Sequence, residues 1–320
     1  MNIIEQAAKR IEELRRAGVD VPWAAAGFKE GEPEALMSAQ KQEPQAAPVT
    51  SPAAPVVDKV VAPVAPQAPS EPVAPQVERR SRQVELDVQR LDAMGYLVPG
   101  RDRSQIEEEF RIVKRPLLKN ADGESAAPVA RANLIMVTSA LPGEGKTYTA
   151  VNLAMSIAME LDHTVLLVDA DVVRPAVLGR LGLPDAPGLL DVLSGSVSDL
   201  SEVLLKTNIP KLTLLPAGTP RLNSTELLAS AAMEDLLNEL ATSYQDRIII
   251  FDAPPLLPST ESRVLATRMG QVLVVVEADK TEIGTAKQAF AALESCPVVM
   301  SVLNKCRGKR ANSAYGYYAV

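Results

Sequence analysis

Residues suited to phosphate binding occur together in LPGEGKT, residues 141–147. The apolar run NLIMVTS precedes this segment, and the helical pattern KTYTAVNLAMSIA begins at its end. Glycines in such a loop let backbone N–H groups approach phosphate oxygens, and the helix start adds a partial positive charge. Lys146 would reach the β- and γ-phosphates, and the Thr147 hydroxyl would bind Mg²⁺. The order predicts a phosphate-binding loop, with Ala140 replacing its usual first glycine; the alternative is an ordinary glycine-rich turn.

Carboxylates follow two further apolar runs. VLLVDAD contains Asp169 and Asp171, and IIIFDAPP contains Asp252. In an open parallel sheet, ligands bind at the carboxyl ends of the strands. Three acids converging beside a triphosphate would repel one another unless a cation lay between them, so we predict a Mg²⁺ site formed by Thr147 and the three aspartates. Turn or cap roles for the aspartates are the alternative.

Six apolar runs would position these residues: NLIMVTS, TVLLVD, KLTLLPAG, RIIIFDAP, QVLVVVEAD and VVMSVLNK. Their near-continuous apolarity and the amphipathic segments between them predict an α/β fold with an open, mostly parallel sheet flanked by helices on both faces. SQIEEEFRIVKRP, residues 104–116, predicts a helix capped by Ser104 and ended by Pro116.

The rest of the chain divides by composition. Residues 1–30 predict a short amphipathic helix, and residues 31–80 form a Pro/Ala-rich segment that we expect to be a disordered linker. Residues 81–310 would form the folded domain, and residues 311–320 a flexible tail. That tail contains Tyr315, Tyr317 and Tyr318, half of the six tyrosines; a buried terminal strand is the alternative.

Bulk composition excludes several functions. The formal net charge is −7, and no long Lys/Arg run offers a nucleic-acid surface. Cys296, Cys306 and His163 are too few for a zinc site or a disulfide framework. No apolar run approaches the roughly 20 residues that span a bilayer. We therefore expect a cytoplasmic protein without a transmembrane segment.

Together, TSALPGEGKT, LLVDADVVRP, IIIFDAPPLLP, LPAGTPRLNSTELL and the tyrosine tail resemble the bacterial tyrosine autokinases of exopolysaccharide synthesis. The resemblance runs from about residue 100 to the end. The preceding helix and linker resemble those of the branch associated with exosortase-linked polysaccharide systems. The resemblance implies that residues 81–310 form a P-loop tyrosine kinase domain that uses ATP and Mg²⁺.

Site residues follow from the resemblance at matching positions. It implies a catalytic set of Lys146, Asp169, Asp171 and Asp252, in which Asp169 or Asp171 orients or deprotonates the acceptor hydroxyl. The implied nucleotide-binding residues are Gly143, Glu144, Gly145, Lys146, Thr147, Tyr148 and Asn304, with Asn304 at the adenine edge. The implied acceptors are Tyr315, Tyr317 and Tyr318. Val173 stands where the family commonly has an Arg, followed here by Arg174.

Oligomer contacts also follow from the resemblance. Glu108, Arg111 and Lys114 match a charged helix that joins family members into a ring, although Lys at the last position lacks the bidentate geometry of Arg. Spaced by three, these residues would share one helix face, and a solvated face is the alternative. The implied partner is a membrane-embedded chain-length determinant, which would hold the protein peripherally at the inner membrane.

Autophosphorylation of the tail that controls exopolysaccharide polymerisation or export is therefore the leading functional hypothesis. Random-coil scaling gives the segment from Asn304 to Tyr315 a span of roughly 18 Å, so its length permits transfer in cis as well as in trans. A non-kinase ATPase switch of the septum- or plasmid-positioning type is the runner-up. Its signature lysine would occupy position 141, which is Leu141 here. A nucleotide-binding scaffold without catalysis is a third possibility.

Overall fold

The computed structural model describes residues 82–100, 104–243 and 247–306. The predicted N-terminal helix, the Pro/Ala-rich linker and the tyrosine tail lie outside these ranges. Within them, we find no helix with the length and hydropathy needed to span a bilayer.

Eight strands form one sheet in the described part of the chain, in the order β1-β4-β5-β3-β6-β2-β7-β8. All neighbouring pairs are parallel except β4 and β5. The strands are β1 (Arg82–Val84), β2 (Leu134–Ser139), β3 (Thr164–Asp169), β4 (Leu205–Thr207), β5 (Leu212–Leu215), β6 (Arg247–Asp252), β7 (Gln271–Glu277) and β8 (Val298–Asn304). The prediction of an open, mostly parallel sheet is confirmed, and all six predicted strands are present. The sequence reasoning missed β1 and β4.

Helices cover both faces of the sheet. They are α1 (Val88–Ala93), α2 (Gln105–Ala121), α3 (Lys146–Ala158), α4 (Val177–Leu181), α5 (Leu189–Leu193), α6 (Ser224–Ala229), α7 (Ala231–Ser243), α8 (Thr260–Ala266) and α9 (Ile283–Ala291). Side chains of β2 alternate between two buried cores: Ile135 and Val137 join the core under α1 to α4, whereas Leu134 and Met136 join the core under α5 to α9. This double coverage explains why the central strands β2, β3 and β6 are mostly apolar on both sides.

Helix α2 does not end where the sequence predicted. Ser104 caps it as expected, because its side chain accepts a hydrogen bond from the Glu107 backbone N–H. The helix continues through Pro116 to Ala121, so the prediction of Pro116 as terminator was wrong. An interior proline costs about 3 kcal/mol. Leu117 and Leu118 beyond it are buried, and burying each contributes roughly 1.5–3 kcal/mol, which offsets that cost.

Lys114 of α2 is inside the fold instead of on its surface. Its side chain is 6% exposed, and its Nζ lies 2.8 Å from Glu160 Oε1. The same ammonium donates a hydrogen bond of 2.6 Å to the backbone carbonyl of Ser156. Lys114 therefore fixes α2 against the end of α3.

Replacing Lys114 tests this contact. Lys114→Met leaves a buried carbonyl and a half-buried carboxylate without their donor, so we expect a loss of about 1–3 kcal/mol of stability and a melting temperature lower by roughly 2–12 °C. Arg115→Met is the matched control, since Arg115 is exposed and lies 3.7 Å from the same Glu160 oxygen. Thermal unfolding followed by circular dichroism measures both. Equal losses in the two variants would contradict a special role for Lys114.

Candidate nucleotide and phosphotransfer site

The loop between β2 and α3 has the geometry of a phosphate-binding loop. Gly143 and Gly145 have φ values of 87° and 105°, in the left-handed region that favours glycine. A Cβ atom on Gly145 would lie 2.0 Å from Asn304 Nδ2, so a larger residue would have to displace the Asn304 side chain. Helix α3 begins at Lys146 directly after the loop. The predicted order of strand, loop and helix is therefore present.

The Lys146 ammonium lies among the predicted acids. Its Nζ is 2.6 Å from Asp171 Oδ2 and 3.8 Å from Asp252 Oδ1. Burial by itself lowers the pKa of Lys146, but the negative charges of Asp252 and Asp171 raise it above its ordinary value. Lys146 is thus held as a cation beside the phosphate-binding loop.

Asp252 and Asp169 are buried neighbours because the β3–β6 register pairs them. Burial raises the pKa of Asp252 to about 6, although the charge of Lys146 acts in the opposite direction. Burial and the charge of Asp252 raise the pKa of Asp169 to about 7. Asp169 Oδ2 accepts hydrogen bonds of 2.9 Å from the backbone N–H groups of Ala176 and Val177. Asp169 Oδ1 and both Asp252 oxygens are buried without a hydrogen-bond partner.

The three aspartates near Lys146 make different contacts. Within the described ranges, no three His, Cys, Asp or Glu side chains are grouped closely enough to hold a metal ion. In this arrangement Asp171 pairs with Lys146 and Asp169 accepts a hydrogen bond from the start of α4, so the Mg²⁺ set of Thr147, Asp169, Asp171 and Asp252 stays a prediction. The Thr147 hydroxyl and the unpartnered Asp252 oxygens still fit Mg²⁺, which commonly takes one or two carboxylates and completes its shell with phosphate and water.

Asp169 lines a cavity of about 490 Å³. Four prolines contribute to its walls: Pro175, Pro187, Pro216 and Pro220. Asp191, which the sequence reasoning missed, fixes one wall. Its Oδ2 accepts hydrogen bonds from the backbone N–H groups of Gly188 at 2.9 Å and Thr219 at 3.0 Å. No local sequence pattern marks Asp191 as part of this wall, because its contact with Thr219 joins residues 28 positions apart.

Tyr148 and Asn304 line a second cavity, of about 280 Å³, between α2 and the end of β8. The Tyr148 hydroxyl donates a hydrogen bond of 2.7 Å to the Gly95 carbonyl, and its ring centroid lies 5.2 Å from that of Tyr96. Asn304 Nδ2 donates to the Glu144 carbonyl at 2.8 Å. Tyr148 and Asn304, both predicted to bind the nucleotide, therefore line the same cavity.

The Glu144 side chain does not line either cavity. It is 2% exposed, accepts a hydrogen bond of 2.7 Å from the Leu141 backbone N–H, and also bonds to the Thr281 hydroxyl. Glu144 thus supports the loop from inside the protein, and only its backbone N–H remains suited to phosphate binding.

Arg174 and Val173 both follow Asp171 on an exposed loop. Val173 is 63% exposed. The Arg174 backbone N–H donates to Asp171 Oδ1 at 3.1 Å. This hydrogen bond needs no particular side chain, so it explains neither Val173 nor Arg174.

The charged residues of α2 divide into two groups. Arg111 bonds to Glu107 at 2.9 Å and Glu108 at 2.8 Å along the helix surface. Lys114 is buried against Ser156 and Glu160 instead. Of the three residues predicted to share one helix face, Glu108 and Arg111 therefore pair on the surface of α2, and Lys114 lies inside the fold.

Comparison with known proteins identifies the family. A domain model described as an AAA domain matches residues 132–295. The tyrosine-protein kinase YwqD of Bacillus subtilis is 32% identical over 220 residues, which are 68% of this chain and 87% of YwqD. The chain belongs to the bacterial tyrosine-protein kinases. As a member of that family it is an ATP-dependent tyrosine kinase, as the sequence resemblance implied.

Other relatives agree with this family. The tyrosine-protein kinase ptk of Acinetobacter johnsonii is 34% identical over 154 residues, which are 48% of this chain but 20% of that longer protein. The crystal structure of the VpsO kinase domain superposes on this chain with a TM-score of 0.51 and 30% sequence identity. The superposition covers 64% of this chain and 100% of the VpsO domain. The assignment to the exosortase-associated branch stays a prediction.

The pKa of Asp169 predicts how this kinase responds to pH. The rise from 3.8 to about 7 means that the folded state binds the Asp169 proton more tightly, so the free energy of unfolding falls as the pH rises through that window. Asp169→Asn removes the buried charge, and its melting temperature should exceed that of the wild type by a few degrees at pH 8 and by less at pH 5.

Thermal unfolding without nucleotide at a series of pH values measures this difference. Asp235→Asn, on the exposed side of α7, is the surface control. If the melting temperature of Asp169→Asn followed the wild-type pH dependence, ionisation of the buried Asp169 would not be what lowers the stability of the folded protein at high pH.

Proposed function

We propose that this tyrosine kinase transfers the γ-phosphate of ATP to its own C-terminal tyrosines, Tyr315, Tyr317 and Tyr318. The observation that carries the proposal is the division of roles among the acids. Asp171 is paired with Lys146, whereas Asp169 keeps an unpartnered oxygen and lines the larger cavity. One acid thus supports the phosphate-binding side, and another remains for the acceptor.

Contacts around the loop support a nucleotide position. The triphosphate would bind the backbone N–H groups of residues 143–147, with Lys146 at the β- and γ-phosphates and the nucleoside in the cavity beside Tyr148 and Asn304. Thr147 and Asp252 would hold Mg²⁺, which neutralises phosphate charge when bound. When ATP binds, the Lys146 ammonium would exchange its ion pair with Asp171 for an ion pair with the phosphate oxygens. Lys146 would therefore be paired with a negative charge both before and after binding.

Asp169 supports the acceptor step. A tyrosine hydroxyl has an ordinary pKa of about 10, and a base with a pKa near 7 accepts its proton more readily than an ordinary carboxylate. In the proposed step Asp169 takes the phenolic proton and the phenolic oxygen bonds to the γ-phosphorus. The bond from that phosphorus to the β–γ bridging oxygen breaks, and ADP leaves. The proline-lined cavity next to Asp169 has room for the aromatic ring.

Chain length permits the tail to reach this cavity. Strands β6, β2 and β7 lie between β3 and β8, and four spacings of about 4.8 Å give roughly 19 Å. The eleven residues from Asn304 to Tyr315 extend to at most about 36 Å. Transfer within one chain and between neighbouring chains are therefore both geometrically open, and the resemblance to the autokinases favours neighbouring chains.

We further propose that phosphorylation regulates exopolysaccharide polymerisation or export through a membrane-embedded chain-length determinant. That partner would keep the kinase at the cytoplasmic side of the inner membrane. The resemblance of the loop, carboxylate and tail segments to the autokinases supports this role. A ring of copies joined through Glu108 and Arg111 is part of the same proposal, whereas the buried Lys114 is not.

Phosphorylation mapping tests the kinase proposal. After incubation of the full chain with Mg²⁺ and ATP, we expect mass spectrometry to find phosphate on Tyr315, Tyr317 and Tyr318. Lys146→Met should lower the incorporation at least 100-fold, because one positioned charge at the phosphates contributes several kcal/mol to transfer. Tail tyrosines that stay unmodified while the wild-type chain hydrolyses ATP would favour the ATPase switch instead.

Solution mass tests the ring. Replacing Glu108 and Arg111 together by Ala removes the exposed pair of α2, and light scattering should then find smaller assemblies than for the wild type. Lys119→Ala, exposed near the end of the same helix, is the control. Unchanged assembly in the double variant would remove α2 from the interface.

A further inference from the structure

The end of β8 contacts the underside of the phosphate-binding loop at two adjacent carbonyls. Lys305 Nζ donates a hydrogen bond of 2.7 Å to the Gly143 carbonyl. Asn304 Nδ2 donates one of 2.8 Å to the Glu144 carbonyl. Two side chains that follow each other in sequence therefore hold two successive peptide units of the loop.

Holding these carbonyls fixes the amides that would bind phosphate. A trans peptide unit is planar, and its C=O and N–H groups point in opposite directions. The Gly143 carbonyl shares its unit with the Glu144 N–H, and the Glu144 carbonyl shares its unit with the Gly145 N–H. Donors below the loop thus turn both N–H groups to its other side, which is the side that a phosphate needs.

Lys305 is itself held in place. Its ammonium lies 3.1 Å from Glu277 Oε2, on the last residue of β7. The Ala278 backbone N–H donates to the Asn304 carbonyl at 2.9 Å, which fixes the chain just before Lys305. Lys305 has a φ of 58°, a left-handed conformation that is uncommon for a residue with a side chain. These contacts hold the strained residue where its side chain reaches the loop.

A neighbouring lysine, Lys280, provides a comparison, because it forms a surface ion pair with the same Glu277 carboxylate. Lys280 Nζ lies 3.2 Å from the same Glu277 oxygen, and its side chain is 71% exposed. Lys280 donates a hydrogen bond to Glu277, whereas Lys305 joins Glu277 to the Gly143 carbonyl. The two lysines therefore differ in their contact with the loop while sharing one carboxylate.

We propose that Lys305 is a positioning residue for ATP binding, which orients the Glu144 N–H toward the phosphates through its hydrogen bond to the Gly143 carbonyl. The inference rests on the ATP site of the proposed function. It assigns Lys305 no part in the transfer step, and Lys305 also lines the cavity in which the nucleoside is proposed to bind. Removing it should therefore weaken ATP binding and raise the KM for ATP, with kcat at saturating ATP little changed.

Binding of N-methylanthraniloyl-ATP with Mg²⁺, followed by fluorescence, tests the proposal on the full chain. Lys305→Met should raise the Kd about three- to tenfold, since it removes one charge-assisted hydrogen bond at a partly exposed site. Lys280→Met, the matched control, should stay within about twofold of the wild type. Lys305→Arg keeps a cationic donor and should recover most of the affinity. Melting temperatures of all variants establish that they are folded.

The outcomes are distinct. A folded Lys305→Met protein with wild-type Kd and KM overturns the proposal, as does an equal loss in Lys280→Met or a loss confined to kcat. If Lys305→Met does not fold, Lys305→Arg decides: full affinity supports the proposal, and a loss as large as tenfold in this folded variant overturns it. A wild-type chain that binds no nucleotide overturns the ATP site and the positioning role together, whereas unmodified tail tyrosines overturn only the kinase proposal.

Discussion

Two carboxylates occupy one end of the sheet because the β3–β6 register pairs Asp169 with Asp252. Both are buried, the Lys146 ammonium lies close to Asp171 and Asp252, and the charge of Arg180 also acts on Asp252. Buried negative charge in excess of positive charge favours the binding of protons or cations. The raised pKa values of Asp169 and Asp252 express this constraint. A site of this kind is suited to a ligand that brings its own cation, as Mg²⁺-bound ATP does.

The same constraint separates the roles of the acids. Lys146 can neutralise one partner closely, and it does so with Asp171 at 2.6 Å. Asp252 lies at the phosphate-binding loop and Asp169 at the proline-lined cavity. The backbone N–H groups of Ala176 and Val177 hold one oxygen of Asp169 and leave the other unpartnered. A single buried charge cluster thus offers different chemistry on its two sides.

Local patterns carried the sequence-based predictions that the structure confirmed. Apolar runs predicted six strands, from β5 to the edge strand β8 in the order of the sheet, because strands covered on both faces need side chains that are apolar on both sides. Strands β1 and β4 have three residues each, and their pairing joins segments far apart in the chain. Lys114 and Lys305 resemble surface residues in the sequence, since the carbonyls they bind lie 42 and 162 positions away. The sequence did not predict that Asp171 pairs with Lys146 while Asp169 binds the backbone of α4, because these contacts depend on the tertiary structure.

The two cavities have no lining residue in common. One meets the site at Asp169, and the other reaches it through Tyr148 and Asn304 beside the phosphate-binding loop. In the proposed reaction, neither substrate has to leave before the other enters. Phosphate would then pass directly between two substrates bound at once, so the kinetics would be sequential, with no phosphorylated intermediate on the site itself.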